Sequence, residues 1–210
     1  TTLSGQLKEL VAEAPLDLTA LTENADVIES TALRIAKIIT GLRSFSRDAN
    51  TDPFTSQSIL LIVEDTLALC GERLRHHDIK IHIDDIPSLL TVECRSVQIT
   101  QVLLNLLNNA VDAITPNSRR WIRLSAKDLG EFVEISVTDS GDGLPATIRD
   151  KIFQPFFTTK DLGKGTGLGL SVSKGLIEAH RGELTIDTKS TNTRFVIRLP
   201  KIQESRKAPA

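Results

Sequence analysis

The sequence predicts an α/β chain, a two-layer sandwich whose helices cover one face of a mixed sheet, preceded by an antiparallel helical hairpin. Three observations carry this expectation. Apolar residues recur at heptad spacing through the first 48 positions. Several later segments alternate apolar and polar residues with the period of two of a half-buried strand. Longer segments of helical period, over roughly 57–75, 95–114 and 168–180, are interleaved among those strands.

The hairpin comes first. Leu3, Leu7, Leu10 and Ala14 are spaced 4-3-4, and after a break at "APLDLT" the series Leu21, Ala25, Ile28, Ala32, Ile35, Ile39 and Leu42 runs 4-3-4-3-4-3. A seven-residue repeat sustained this far marks a coiled-coil seam, so residues 1–48 are expected to pair with a second copy as a four-helix bundle. Packing of the hairpin onto its own globular domain is the competing possibility. "SRDANTDPFTS" is polar, contains Pro53, and sets a linker over 49–56 before a domain over 57–200. Strands are expected near 78–84, where Ile79, Ile81 and Ile83 alternate with Lys80 and His82, and near 89–93, 120–126 and 131–139. A hairpin of 183–188 and 193–199 closes one sheet, and the tail over 201–210 has no face to bury and is expected to be disordered.

Composition narrows the function. With 25 basic and 27 acidic residues the chain has no basic footprint for nucleic acid, and 4% aromatics with no tyrosine leave no base-stacking platform. No window approaches a membrane span, so the chain reads as soluble, intracellular and cytoplasmic, without membrane contact, and an anchor in a longer protein is left open. Cys70 and Cys94 are too few for a disulfide framework or a cysteine zinc site; Cys70 falls on the stripe Leu60, Val63, Leu67, Cys70, Leu74 and is expected in the core.

The segment "QVLLNLLNNAVDA" is the first chemical signal. At about 100° per residue, Gln98, Gln101, Asn105, Asn108, Asn109 and Asp112 share one sector of an otherwise apolar helix. A face turned to water usually recruits Lys and Glu, which favour helix, whereas asparagine does not. An amide row suits a ligand rich in donors and acceptors, or a metal wanting a neutral oxygen.

Two glycine-rich segments follow. "DSGDGLP" places Asp139 at a strand end beside Gly141 and Gly143, which gives a carboxylate at the sheet's rim and a backbone open to close approach. A calcium loop is excluded, because glycines stand where oxygen-bearing side chains are needed, and a plain turn is the remaining alternative, although it does not need two glycines flanking a second Asp. "FQPFFTTKDLGKGTGLGLS" sets Phe153, Phe156 and Phe157 before Gly163, Gly165, Gly167 and Gly169, and a helix then begins. Amides converging on a helix N-terminus favour phosphate, although neither the dinucleotide nor the Walker fingerprint fits.

In this order the three segments resemble the ATP-binding domain shared by sensor histidine kinases, type II topoisomerases, Hsp90 chaperones and mismatch-repair ATPases. "QVLLNLLNNAVDA" looks like the kinase N box, "DSGDGLP" like the first glycine box, "IFQPFFTTK" like an F box of the nitrogen-regulation type, and "GKGTGLGLS" like the second glycine box. The resemblance covers roughly residues 53–200 and implies the Bergerat-type sandwich, with ATP and Mg²⁺ as cofactors. It implies that Asp139 takes the adenine amino group, with Gly141 and Gly143 at the base pocket. Asn109 would hold Mg²⁺ and Asn105 would face the phosphates, with Asp112 counted among the residues that bind the cofactor. Lys160 and the loop holding Gly163, Gly165, Thr166, Gly167, Leu168 and Gly169 would form lid and phosphate contacts, with Phe157 and Thr158 also among the residues that bind the cofactor. Asn105, Asn109 and Lys160 are the implied catalytic residues.

ATP-hydrolysing members of this superfamily carry a glutamate one turn before the metal asparagine, where this chain has Asn105. An amide cannot take a proton from water near neutral pH, so slow hydrolysis is expected. "RIAKIITGLRSFSR" resembles the second helix of a kinase dimerisation domain, yet His76, His77, His82 and His180 all lack the HExxNP-like context of a phosphoacceptor. The expectation is a kinase core that begins just past its acceptor, dimerises through the hairpin, and passes phosphate through that histidine to a response regulator's receiver domain. An acceptor-less ATP-binding signalling module and an ATPase of the same superfamily are the alternatives.

Overall fold

The computed structural model describes residues 19–28, 31, 53–84, 86–161 and 165–203. Of the expected hairpin it describes only a helical stretch over residues 19–28 and position 31, so the hairpin and its pairing lie outside the described residues.

The globular part begins where Ser58 ends a short strand, β1 (Thr55–Ser58), and caps a helix, α1 (Ile59–His76), by accepting from the Leu61 N–H at 3.5 Å. Ile59, Ile62, Val63, Thr66, Cys70 and Leu74 are buried along one side of α1, as the stripe requires. The left-handed Asp78 (φ 52°) turns the chain into β2 (Lys80–Ile83). There follow β3 (Thr91–Cys94), α2 (Ser96–Ile114), β4 (Trp121–Asp128), β5 (Phe132–Asp139), the single turn α3 (Ala146–Arg149), α4 (Gly169–Ala179), β6 (Glu183–Ile186) and β7 (Arg194–Pro200).

The main sheet has the order β2-β4-β5-β7-β6, with β2 parallel to β4 and every other pair antiparallel. Alternation places Ile122, Leu124 and Ala126 of β4, Val133, Ile135 and Val137 of β5, and Phe195, Ile197 and Leu199 of β7 in one core with the apolar sides of α1 and α2. The opposite face is polar: the Ser125 and Ser136 hydroxyls lie 2.7 Å apart, and Arg194 reaches Glu134 and Asp187. This is the expected mixed α/β sandwich.

Three details depart from expectation. There are two sheets, because β1 pairs antiparallel with β3, Thr55 opposite Cys94 and Ser58 opposite Thr91. This removes Thr55 and Ser56 from the linker; their side chains carry no alternation, and backbone pairing alone makes the strand. The turn α3 stands between the two glycine-rich segments, where no helix was expected. Finally, the tail is held at its start. Lys201 donates its N–H to Glu131 O (2.9 Å) and accepts from Glu93 N–H (2.8 Å), and the Gln203 side chain donates to His180 O (2.9 Å).

Candidate functional site

Helix α2 is amphipathic in an unusual sense. Ile99, Val102, Leu103, Leu106, Leu107, Val111 and Ile114 are buried beneath it, and its other side forms the wall of a cleft of about 720 Å³. Asn105, Asn108, Asn109 and Asp112 line that cleft, together with Ala110 and Ala113. The sector of six read from the sequence is therefore divided, since Gln98 is buried and Gln101 exposed, and neither contributes to the lining. Asn105 is fixed by donating its amide to Ser173 Oγ of α4 at 2.9 Å, which directs its carbonyl oxygen away from that partner.

At the cleft's floor stands Asp139, the last residue of β5, with only 3% of its surface exposed. Its carboxylate accepts from the Gly141 N–H at 2.8 Å and from the Thr193 hydroxyl, and its own N–H donates to Thr193 O at 3.0 Å. Burial lifts its pKa from 3.8 to about 6, and the two hydrogen bonds only partly offset that. Leu144, Ile148, Ile152, Phe157, Leu170 and Phe195 supply apolar walls around this group. A buried carboxylate with acceptor capacity left over, set in apolar walls, can take a hydrogen bond from a donor that enters the cleft.

The second glycine segment folds back on the phenylalanine segment. Phe156 itself is left-handed (φ 68°) and 67% exposed, while Phe157 turns into the cleft. Gly167 (φ 65°) approaches the Phe156 backbone so closely that a Cβ there would lie 2.3 Å from its carbonyl carbon. A Cβ at Gly169 would lie 2.3 Å from Asn105 Oδ1, and one at Gly165 would lie 2.5 Å from Thr158 Oγ1. The glycines thus bring the start of α4 against both the amide helix and the Thr158–Lys160 segment.

Three charged groups form the rim. Arg73 of α1 reaches Asn108 Oδ1 (2.8 Å) and Asp112 Oδ1 (2.5 Å), and Lys160 Nζ reaches Asp112 Oδ2 (2.5 Å) and, at 3.4 Å, Asn109 Oδ1. Of the expected site residues, the cleft gathers Asn105, Asn109, Asp112, Asp139, Phe157, Thr158, Lys160, Gly165, Thr166, Gly167 and Gly169. Gly141, Gly143 and Leu168 form no part of its lining. Gly141 instead holds Asp139, Gly143 (φ 79°) makes the turn beyond it, and Leu168 is buried. Gly163 lies outside the described residues. Sequence reasoning missed Arg73 and Thr193. Thr193 was within reach, because antiparallel pairing of the strands ending at 139 and starting at 194 sets it beside Asp139. Nothing in the local pattern of α1 marks Arg73.

A fit to nucleotide and metal can be judged from these residues. The glycine cradle leaves no room for a side chain at 167, where the obstacle is the Phe156 backbone, and admits one at 165 or 169 only if Thr158 or Asn105 shifts, and the cleft offers a lysine and three asparagine amides beside it. Among the described residues no three His, Cys, Asp or Glu side chains group as a metal site. A divalent cation here would meet neutral amide oxygens, which suits one that arrives with phosphates of its own.

Comparison with known proteins agrees with the geometry. Residues 94–203 match the family described as "Histidine kinase-, DNA gyrase B-, and HSP90-like ATPase". The two-component sensor PprA of Pseudomonas aeruginosa is 35% identical over 92% of this chain, and the sensor kinase CckA of Brucella abortus is 35% identical over 86%. The chain spans only 22% and 20% of those two relatives. The solved catalytic domain of histidine kinase ThkA is 32% identical with a TM-score of 0.64, covering 71% of this chain and 97% of that one. No helix among the described residues is long and apolar enough to cross a membrane. The cleft between an amide helix and a glycine cradle, the sandwich that carries it and these matches lead to one conclusion: the chain belongs to the histidine kinase-, DNA gyrase B- and HSP90-like ATPase family, as a histidine kinase catalytic core with that family's ATP-binding fold.

Proposed function

We propose that this chain binds Mg²⁺-ATP and holds it for transfer of phosphate to a histidine outside the chain, from which it passes to an aspartate of a response regulator's receiver domain. The observation that carries the reading is Asp139, a buried carboxylate with unspent acceptor capacity in a cleft that amides and Lys160 also line. Asp139 accepts from the adenine amino group, and Thr193 and Gly141 hold the carboxylate in place. Phe157, Ile148 and Ile152 exclude water around the base. Asn109 offers its amide oxygen to the metal, while Asn105, Lys160, Thr166 and the Gly165–Gly167 backbone receive the phosphates. When bound, Mg²⁺-ATP supplies the phosphoryl group and the charge neutralisation that its transfer requires.

The residues present also restrain hydrolysis. The cleft's only carboxylates among the described residues are Asp139, at the base end, and Asp112, already engaged by Arg73 and Lys160. Neither is placed to take a proton from water, and position 105 is an amide bound to Ser173. The chain's own histidines are poor acceptors: His180 is fully buried, and the other three stand at the end of α1 and on β2, away from the cleft lining.

The relatives' names, a two-component sensor and a sensor kinase, support the relay. The heptad seam supports a homodimer, and the cytoplasm is the compartment in which we place the chain. The deciding experiment incubates the chain with radiolabelled Mg²⁺-ATP alone and then with a histidine-bearing dimerisation segment of a relative. Slow phosphate release, no self-labelling, and acid-labile labelling of the added segment are expected. ATP binding without transfer to any such segment would make this a non-catalytic module, and fast phosphate release would return it to the ATPases.

A further inference from the structure

Three segments distant in sequence deliver charge to the mouth of the cleft. Asp112 projects from α2, Arg73 comes from α1, and Lys160 comes from the segment after Phe157. The carboxylate divides its oxygens between the two cations, Oδ1 to Arg73 and Oδ2 to Lys160, each at 2.5 Å. The cations are held differently. Arg73 spans one turn of α2, with one guanidinium nitrogen on Asn108 Oδ1 and the other on Asp112 Oδ1, so a rigid fork rests on two anchors. Lys160 is a point charge on an irregular segment, with one short contact and one at 3.4 Å.

Building on the Mg²⁺-ATP reading above, we propose that Arg73 is a positioning residue of the nucleotide site: through Asp112 it maintains a resident counter-anion that holds Lys160 until a nucleotide binds and then releases it to the nucleotide's phosphates. A polyphosphate offers Lys160 more negative charge than one carboxylate does, and the loop-borne ammonium is the cation free to move. Its departure leaves Asp112 on the face the phosphates approach, where like charges a few ångströms apart repel. Arg73, fixed to the helix, cancels that charge. Without Arg73 the lysine is Asp112's only partner and serves carboxylate and phosphate in competition. Asp112 thus opposes phosphate binding in either case, weakly beside Arg73 and more strongly without it, which sets the sign of its substitution.

Calorimetry at low salt on the 210-residue chain tests this, with Mg²⁺-ATP and adenosine as the two probes and a melting curve for each variant. Arg73→Ala is expected to weaken Mg²⁺-ATP about fivefold, the upper range for half-exposed charges, and to leave adenosine unchanged. Arg73→Lys restores part of the loss, since charge returns without the fork. Asp112→Asn tightens Mg²⁺-ATP, and Arg73→Ala added to it has no further effect. Equal weakening of both probes would show a distorted cleft and overturn the proposal. A full Arg73→Ala loss in the Asp112→Asn background would mean that Arg73 touches phosphate itself, and weaker binding by Asp112→Asn would make Asp112 a servant of the metal. Each overturns the inference while leaving the nucleotide reading intact. A parent chain that binds neither probe would instead remove the nucleotide reading.

Discussion

Asp139 and His180 are both buried, titratable and placed at the end of a secondary-structure element, yet they do opposite things. His180, fully buried at the end of α4, has no capacity left: Nε2 accepts from the Arg95 N–H at 3.1 Å, which leaves the proton on Nδ1 to donate to Leu176 O at 2.7 Å. Phe54 packs edge-on at 5.1 Å between this ring and the Arg95 guanidinium. Burial holds its pKa below the usual histidine value, and the ring joins the start of α2 to the end of α4 as a neutral group. Asp139 is nearly as buried but faces an open cleft with acceptor capacity unspent. Burial alone therefore marks no function. Unspent bonding capacity facing a cavity does.

The largest expected effect breaks the functional side of this pair. Asp139→Asn keeps the Gly141 N–H bonded through its carbonyl oxygen but turns an NH₂ toward the adenine amino group, so ATP affinity should fall roughly 100-fold or more. Stability should move the other way. A carboxyl lifted from 3.8 to about 6 disfavours the fold as pH rises through that window, by about 3 kcal/mol once ionised. The amide avoids this penalty. At pH 8 the empty variant should melt no lower than the parent, and calorimetry showing ATP affinity within threefold of the parent would remove Asp139 as the base reader.

His180→Ala is the matching change at the sealed end. It leaves the Arg95 N–H and the Leu176 carbonyl without the ring and opens a cavity, for a stability loss of about 2–4 kcal/mol by chemical denaturation. Well below the melting temperature ATP affinity should stay within about twofold. Binding lost ahead of stability would show that the two ends are coupled through α2.

How much of this pair was readable in advance follows from range. The amide face, the strand ending at Asp139 and the glycine cradle are local patterns, and the sequence carried them to the right elements. His180 gave only its place at a helix end, because its partners Arg95 and Phe54 come from far along the chain. Arg73 was hidden for the same reason: its partners Asn108 and Asp112 lie on another helix. The amide sector was read too wide, since a helical wheel gives direction but not where along a helix a cleft begins. Strand β1 was missed because backbone pairing leaves no mark on Thr55–Ser58.

Two glycines extend the comparison with smaller effects. A Cβ at Gly182, on the sealed side, meets Arg198 O at 2.4 Å, an immovable backbone atom, so Gly182→Ala should cost about 1–3 kcal/mol of stability and little affinity. At Gly169 the obstacle is the Asn105 carboxamide, which can rotate away. Gly169→Ala should therefore cost roughly tenfold in Mg²⁺-ATP affinity with less loss of stability. The reverse pattern in paired melting and binding measurements would break the division into a sealed and an open end.

The smallest effect is a fraction of a proton, and it isolates Asp139 from His180. Adenosine carries no phosphate that titrates near neutrality, so a proton exchanged on its binding comes from the protein. With its pKa at about 6 before the ligand binds, Asp139 is near half-protonated at that pH, whereas a bond from the adenine amino group requires the carboxylate. Binding at pH 6 should release roughly half a proton, and at pH 8 almost none, measured as the dependence of binding enthalpy on the buffer's ionisation enthalpy. His180 has the opposite linkage. Its depressed pKa gives stability that is present above the unfolded value and lost as pH falls through the folded one, and the ligand does not touch it. His180→Gln should therefore leave the proton release intact, and Asp139→Asn should abolish it. Proton uptake at pH 6, or release that survives Asp139→Asn, would place the titrating group elsewhere and dissolve the contrast between the two buried residues.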